Sequence, residues 1–133
     1  MSTKKNKEKV RRIFEEAINK GNLAVTDEIM AANYVLHGPL GESKGPDGFK
    51  QMLTMMGTAF PDLHCTVEDM VAEGDMVATR FTIRGTFKGE LMGIAPTGKN
   101  LNIKGSVFVR FAGDKEIEAF EFFDLLAFYQ QLG

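Results

Sequence analysis

The spacing of apolar residues changes once along the chain. Up to about residue 57 they recur every three or four positions, and from Leu63 onward they alternate with polar ones. Val10, Ile13, Phe14, Ala17 and Ile18 form one stripe of helical period. It predicts a helix from a Ser2 or Thr3 cap to about Lys20, ended by Gly21. Thr26 or Asn22 starts a second, short helix with Ile29 and Met30 as its apolar residues. Tyr34-Val35-Leu36-His37 reads as a short strand or extended turn, broken by Gly38, Pro39 and Gly41. Gly45-Pro46 opens a third helix, because proline suits a first helical turn, and Phe49, Met52, Leu53 and Met56 supply its apolar face. Gly57 and Pro61 bound its end.

Four runs of period two follow: Leu63 to Ala72, Met76 to Phe87, Leu101 to Phe111, and Glu116 to Phe123. Gly74-Asp75 and Gly113-Asp114 mark hairpin turns, and Leu125 to Leu132 suits a helical tail. Helices first and strands afterwards predict an α+β fold rather than alternating βαβ units. A curved, mainly antiparallel sheet with the N-terminal helices packed over it makes a cone-shaped, half-open barrel. Its apolar interior is a natural small-molecule pocket. No repeat or linker divides the chain, so residues 1–133 read as one domain.

Composition removes several function classes. The net charge is −2, which gives no support for nucleic-acid binding. The basic run from Lys4 to Arg12 is interrupted by Glu8 and reads as a solvated helix face. Cys65 is the only cysteine, so no intramolecular disulfide forms and a reducing compartment is the simpler expectation. No apolar run approaches the roughly 20 residues of a membrane span, and no apolar core follows the Lys-rich N-terminus. The expected location is the cytoplasm, with no membrane partner. His37 and His64 make no metal-binding spacing, and no phosphate loop or dinucleotide fingerprint is present.

Several runs together resemble one family. They include Tyr34-Val35-Leu36-His37, Ala59-Phe60-Pro61-Asp62-Leu63-His64, Ala72 to Arg80, Arg84 to Glu90, Gly93 to Lys99, and Glu118 to Asp124 with the terminal Gln131-Leu132-Gly133. In order and spacing they resemble the SnoaL-like polyketide cyclases, or ester cyclases, of the nuclear transport factor 2-like superfamily. The resemblance implies the cone-shaped barrel, a pocket at its mouth, no metal, no organic cofactor and a homodimer. The superfamily also holds ketosteroid isomerase, limonene epoxide hydrolase, scytalone dehydratase and proteins that only bind ligands, so fold does not decide function.

The family's acid/base aspartate, carried over, is Asp124. Phe120 stands where the family usually has tryptophan, and Phe87 where it often has histidine. Strand alternation puts Glu118, Phe120, Phe122 and Asp124 on one face, and aromatic surface beside a carboxylate raises its pKa toward proton-transfer range. The competing reading makes Asp124 a helix cap. His37 is the second catalytic candidate, as a group that polarises a carbonyl or relays a proton. Arg80 and Arg110 are candidates for substrate binding, because an arginine facing an apolar cavity requires an anionic partner. Tyr34, Phe120, Phe122, Met52 and Met56 are expected to line the pocket.

These residues support a cofactor-independent acid/base enzyme on a small apolar carbonyl compound, in which Asp124 assists an aldol-type ring closure. One alternative is a non-catalytic ligand-binding or dimerisation module. Another is epoxide-hydrolase-like or isomerase-like chemistry in the same pocket. Val107, Val109 and Phe111, alternating along one strand, are the expected dimer surface.

Overall fold

The computed structural model describes residues 2–133. The Ser2 hydroxyl caps α1 (Thr3–Arg12) by accepting the Lys5 N–H at 3.0 Å. The apolar stripe continues beyond Arg12, but Ile13–Ile18 is wound as a π-helix, so the single expected helix is two segments. Its wider turn is visible in the Asn19 N–H, which donates to the Phe14 carbonyl at 3.0 Å. Helix α2 (Ala24–Ile29) runs directly into β1 (Met30–Gly38), which is longer than the four-residue run foreseen. Strand β2 (Gly41–Lys44) was not foreseen. Its short polar sequence has no alternation, and it pairs where β1 offers an edge, Leu36 opposite Ser43 and His37 opposite Glu42.

Helix α3 (Gly45–Ala59) carries Pro46 in its first turn. Strands β3 (His64–Glu73), β4 (Met76–Thr86), β5 (Asn100–Ala112) and β6 (Lys115–Phe123) match the four alternating runs, and α4 (Leu125–Leu132) closes the chain. Gly74 and Gly113 turn the hairpins at φ of 57° and 60°, a region that penalises any β-carbon.

The six strands form one sheet in the order β2-β1-β6-β5-β4-β3. Strand β1 runs parallel to β6, and every other pairing is antiparallel. Val77, Thr79, Phe81 and Ile83 of β4 point inward with Leu101, Ile103, Val107, Val109 and Phe111 of β5. Val107, Val109 and Phe111 therefore belong to the core, not to an exposed dimer surface. Alternation identified their shared face, but only the position of the helices shows which face is covered. The uncovered face carries Phe108, Phe122 and Val71, which are 41%, 57% and 67% exposed.

One irregularity controls the interior. Arg110 pairs with Glu118 while Phe111 pairs with Glu116, so β6 holds one extra residue at Ile117. Such a bulge switches the side on which the following residues point. Glu116 is thereby buried, as are Ala119 and, in part, Glu121 and Phe123, while Phe122 faces outward.

Candidate functional site

The interior contains two small cavities of about 60 Å³ each. One is lined by Phe14, Tyr34, Phe49, Met52, Glu116 and Glu121 among others. The second lies between α3, β3 and α4, with Met52, Met56, Cys65, Phe128 and again Glu121 in its wall. An open groove of about 540 Å³ lies outside, between the β1–β2 turn and the end of β6, and Glu121 lines this too. It is the one residue common to all three. The groove exists because β1 stops pairing with β6 at His37 opposite Phe120, leaving residues 121–123 without a neighbour on that side.

The interior is acidic. Burial pushes the Glu121 carboxyl up to about 7. Glu116 is 2% exposed, and burial pushes its carboxyl up to about 8 against a smaller lowering by Lys9. Tyr34 is raised well above the ordinary phenol range by burial and then by Glu116 and Glu121. Burial, with Glu121 adding to it, pushes the Cys65 thiol up to about 12, which leaves it a protonated core residue rather than a nucleophile. Among the described residues, no Lys, Arg or His lines either cavity.

The expected site residues divide between two faces. Tyr34, Met52 and Met56 line the cavities. Phe120 and Phe122 instead line the open groove with His37. The His37 ring stacks on Phe120, with centroids 4.9 Å apart and planes 17° from parallel. Its Nε2 lies 2.9 Å from Glu118 Oε2, and its Nδ1 lies 3.2 Å from Glu42 Oε2. The Nε2–Glu118 contact is a hydrogen bond, and Glu42 brings a second carboxylate close to the other ring nitrogen.

The two arginines do not reach the cavities. Arg80 Nε donates to Asp69 Oδ2 at 2.8 Å on the outer face, and Arg110 Nη1 lies 3.2 Å from both carboxylate oxygens of Asp75. Each is on the strand parity opposite to the core; strand β3 supplies the partner of Arg80, and the β3–β4 turn supplies that of Arg110. Asp124 is exposed and caps α4, its Oδ1 accepting the Ala127 N–H at 3.0 Å. The carboxyl that meets the requirement first set for Asp124, an aromatic and poorly solvated setting, is Glu121. Sequence reasoning passed over it while following the Phe120 and Phe122 face. Its position between Ala119 and Phe123 was the available signal. Glu116 gave none, because the bulge reverses its parity.

Among the described residues no group of three or more His, Cys, Asp or Glu side chains is arranged to hold a metal, and no helix is long and apolar enough to cross a membrane. The chain is similar to several solved structures. A candidate SnoaL-like polyketide cyclase from Jannaschia sp. CCS1 superposes with a TM-score of 0.90 at 25% identity, over 98% of this chain and 92% of that one. A candidate polyketide cyclase from Acidithiobacillus ferrooxidans gives 0.84 at 30% identity, over 99% and 97%. IdmH, a candidate polyketide cyclase from Streptomyces antibioticus, gives 0.82 at 29% identity, over 96% and 97%. No protein with a curated description matches. The family model for the SnoaL-like polyketide cyclases matches residues 8–132, and the chain belongs to that family.

Proposed function

We propose that the cone interior is a reaction chamber for a cofactor-independent acid/base step on a small apolar carbonyl compound, with Glu121 as the proton carrier. The observation that carries this reading is that Glu121 lines the open groove and both interior cavities. A substrate entering from the groove meets this carboxyl on its way to the apolar space. A carboxyl held near 7 is poised both to take and to return a proton near neutral pH.

In the ring-closing version, Glu121 takes a proton from the carbon beside a carbonyl. The resulting enolate attacks a second carbonyl of the same molecule, and the proton returns to the new alkoxide. Tyr34, whose raised pKa keeps its phenol protonated, can donate to the enolate oxygen. Met52 lines both cavities, and its flexible thioether can move to admit a larger ligand. Asp124 and His37 remain the alternatives from the C-terminal strand and the groove. Incubation with activated β-ketoesters, followed by chromatography, tests the reading. Glu121→Gln is expected to lower turnover by roughly 10²–10⁴-fold. Equal turnover in Glu121→Gln with its loss in Asp124→Asn would return the role to Asp124.

The binding-module reading is favoured by Phe120 and Phe87, which stand where the family usually has tryptophan and often has histidine. It predicts apolar compounds that raise the melting temperature without being converted.

We further infer that the uncovered sheet face joins two copies of the chain. The register aligns Val71, Ala78, Phe108, Phe120 and His37 in one row across five strands. The arginines beside that row already have their own acidic partners, Asp69 and Asp75, so an apolar, self-complementary contact is the one left to make. Light scattering of the wild type should give twice the monomer mass, and Phe108→Glu should halve it. A monomeric wild type removes the claim.

A further inference from the structure

Glu116 has no part in the reaction outlined above. It stands five residues from Glu121 along β6, roughly 16 Å of strand, and lines the same cavity. Its Oε2 is buried and accepts no hydrogen bond from any described residue. A buried carboxyl in that condition costs stability and is uncommon. Beside it in the cavity wall stand Tyr34 and Phe49, whose rings meet edge to face at 6.3 Å and 90°.

The charge balance around Glu116 points one way. The titratable groups that share its cavity are Tyr34 and Glu121, both potential anions. Lys9 of α1 acts on it from outside, and the Lys9 ammonium donates to the Asp114 carbonyl at 2.6 Å. The adjacent Lys115 donates from Nζ to the Glu28 carbonyl at 2.5 Å. An ionised carboxylate is tolerated in an apolar interior when a cation pairs with it, and aromatic faces add to the attraction.

We propose that the Glu116 end of the cavity is a second polar subsite, in which the Glu116 carboxylate receives the ammonium group of a small aliphatic amine or of an amine-bearing substrate. The ligand's apolar stem then runs along Met52 toward Glu121. The inference uses the same cavity as the acid/base reading, but its test reads binding and not turnover, so either can fail alone.

The probes are n-butylamine and its neutral counterpart 1-butanol. They are titrated while the methyl signals of Met30 and Met52, both in the cavity wall, are followed by NMR. At roughly pH 8.5 the amine is expected to bind about tenfold more tightly than the alcohol, and the ratio should fall toward one near pH 6 as Glu116 takes up its proton. Glu116→Gln should abolish the preference and its pH dependence, while Glu121→Gln keeps both. Equal binding of the two probes by the wild type overturns the proposal. So does a preference that survives Glu116→Gln, or one that vanishes in Glu121→Gln instead. If Glu116→Gln does not fold, Overhauser contacts in the wild type decide. Contacts from the carbon beside the amine to the Tyr34 and Phe49 rings support the subsite, and contacts only to groove residues such as Phe120 overturn it.

Discussion

Glu121 Oε1 lies 3.1 Å from the point that a β-carbon on Gly38 would occupy. The end of β1 thus presses bare backbone against the carboxyl that separates the groove from the interior. Gly38 needs no unusual backbone angle, since its φ is outside the left-handed range. Its lack of a side chain matters for contact instead.

Gly38→Ala should therefore fold normally, with a stability change within about 1 kcal/mol. The added methyl would push the Glu121 carboxyl aside by a few tenths of an ångström and narrow its access to the groove. Reduced ligand binding at an unchanged melting temperature is the expected pair of results, measured by titration and by thermal unfolding.

The buried carboxyls make stability depend on pH in a definite direction. Both start from an ordinary value of 4.5 and rise on folding, to about 7 for Glu121 and about 8 for Glu116. The folded chain binds more protons than the unfolded chain between those values. Their contribution is thus fully present below about pH 4.5 and is lost as pH rises through 7 and 8. Each carboxyl contributes a slope of up to about 1.4 kcal/mol per pH unit within its window. Denaturant midpoints from pH 5 to pH 9 should fall for the wild type, and a Glu116→Gln, Glu121→Gln double variant should flatten the curve.

Asp124→Ala removes the hydrogen bond to the Ala127 N–H and should cost about 1 kcal/mol of stability. Glu121→Gln keeps the cap and should leave that stability term intact. If Asp124 acts only as a cap, ligand binding measured well below the melting temperature stays unchanged in Asp124→Ala. A large loss of binding or turnover in the folded Asp124→Ala would give it a role beyond the cap.

Asn6 offers a test of interior polarity away from the cavities. It is 1% exposed, and neither atom of its side-chain amide finds a partner among the described residues. Asn6→Leu should raise stability by about 1 kcal/mol, seen as a higher denaturant midpoint. A lower midpoint would mean that the amide is hydrogen-bonded in solution.

The order of the main elements, strand β2 and the π-helical turn apart, is legible in the local pattern of the chain. Helical and strand periods are local properties of neighbouring residues, so α3, the four long strands and the hairpin glycines were legible without any partner. The family motifs are likewise local and were readable in order. Which side of each strand is the inside depends on packing between elements. Alternation yields two sets of residues and leaves them equivalent, and covering one side with helices separates them. That choice put Val107, Val109 and Phe111 in the core and Phe108 outside. It also left Arg80 and Arg110 with partners on the outer face, and it turned Glu121 toward the cavities. The π-helical turn, strand β2 and the bulge at Ile117 were not legible either, because none of them leaves a mark on the helical or strand period. Glu116 shows the consequence most directly. One extra residue in β6 reverses its side, and a strand period alone cannot register the insertion.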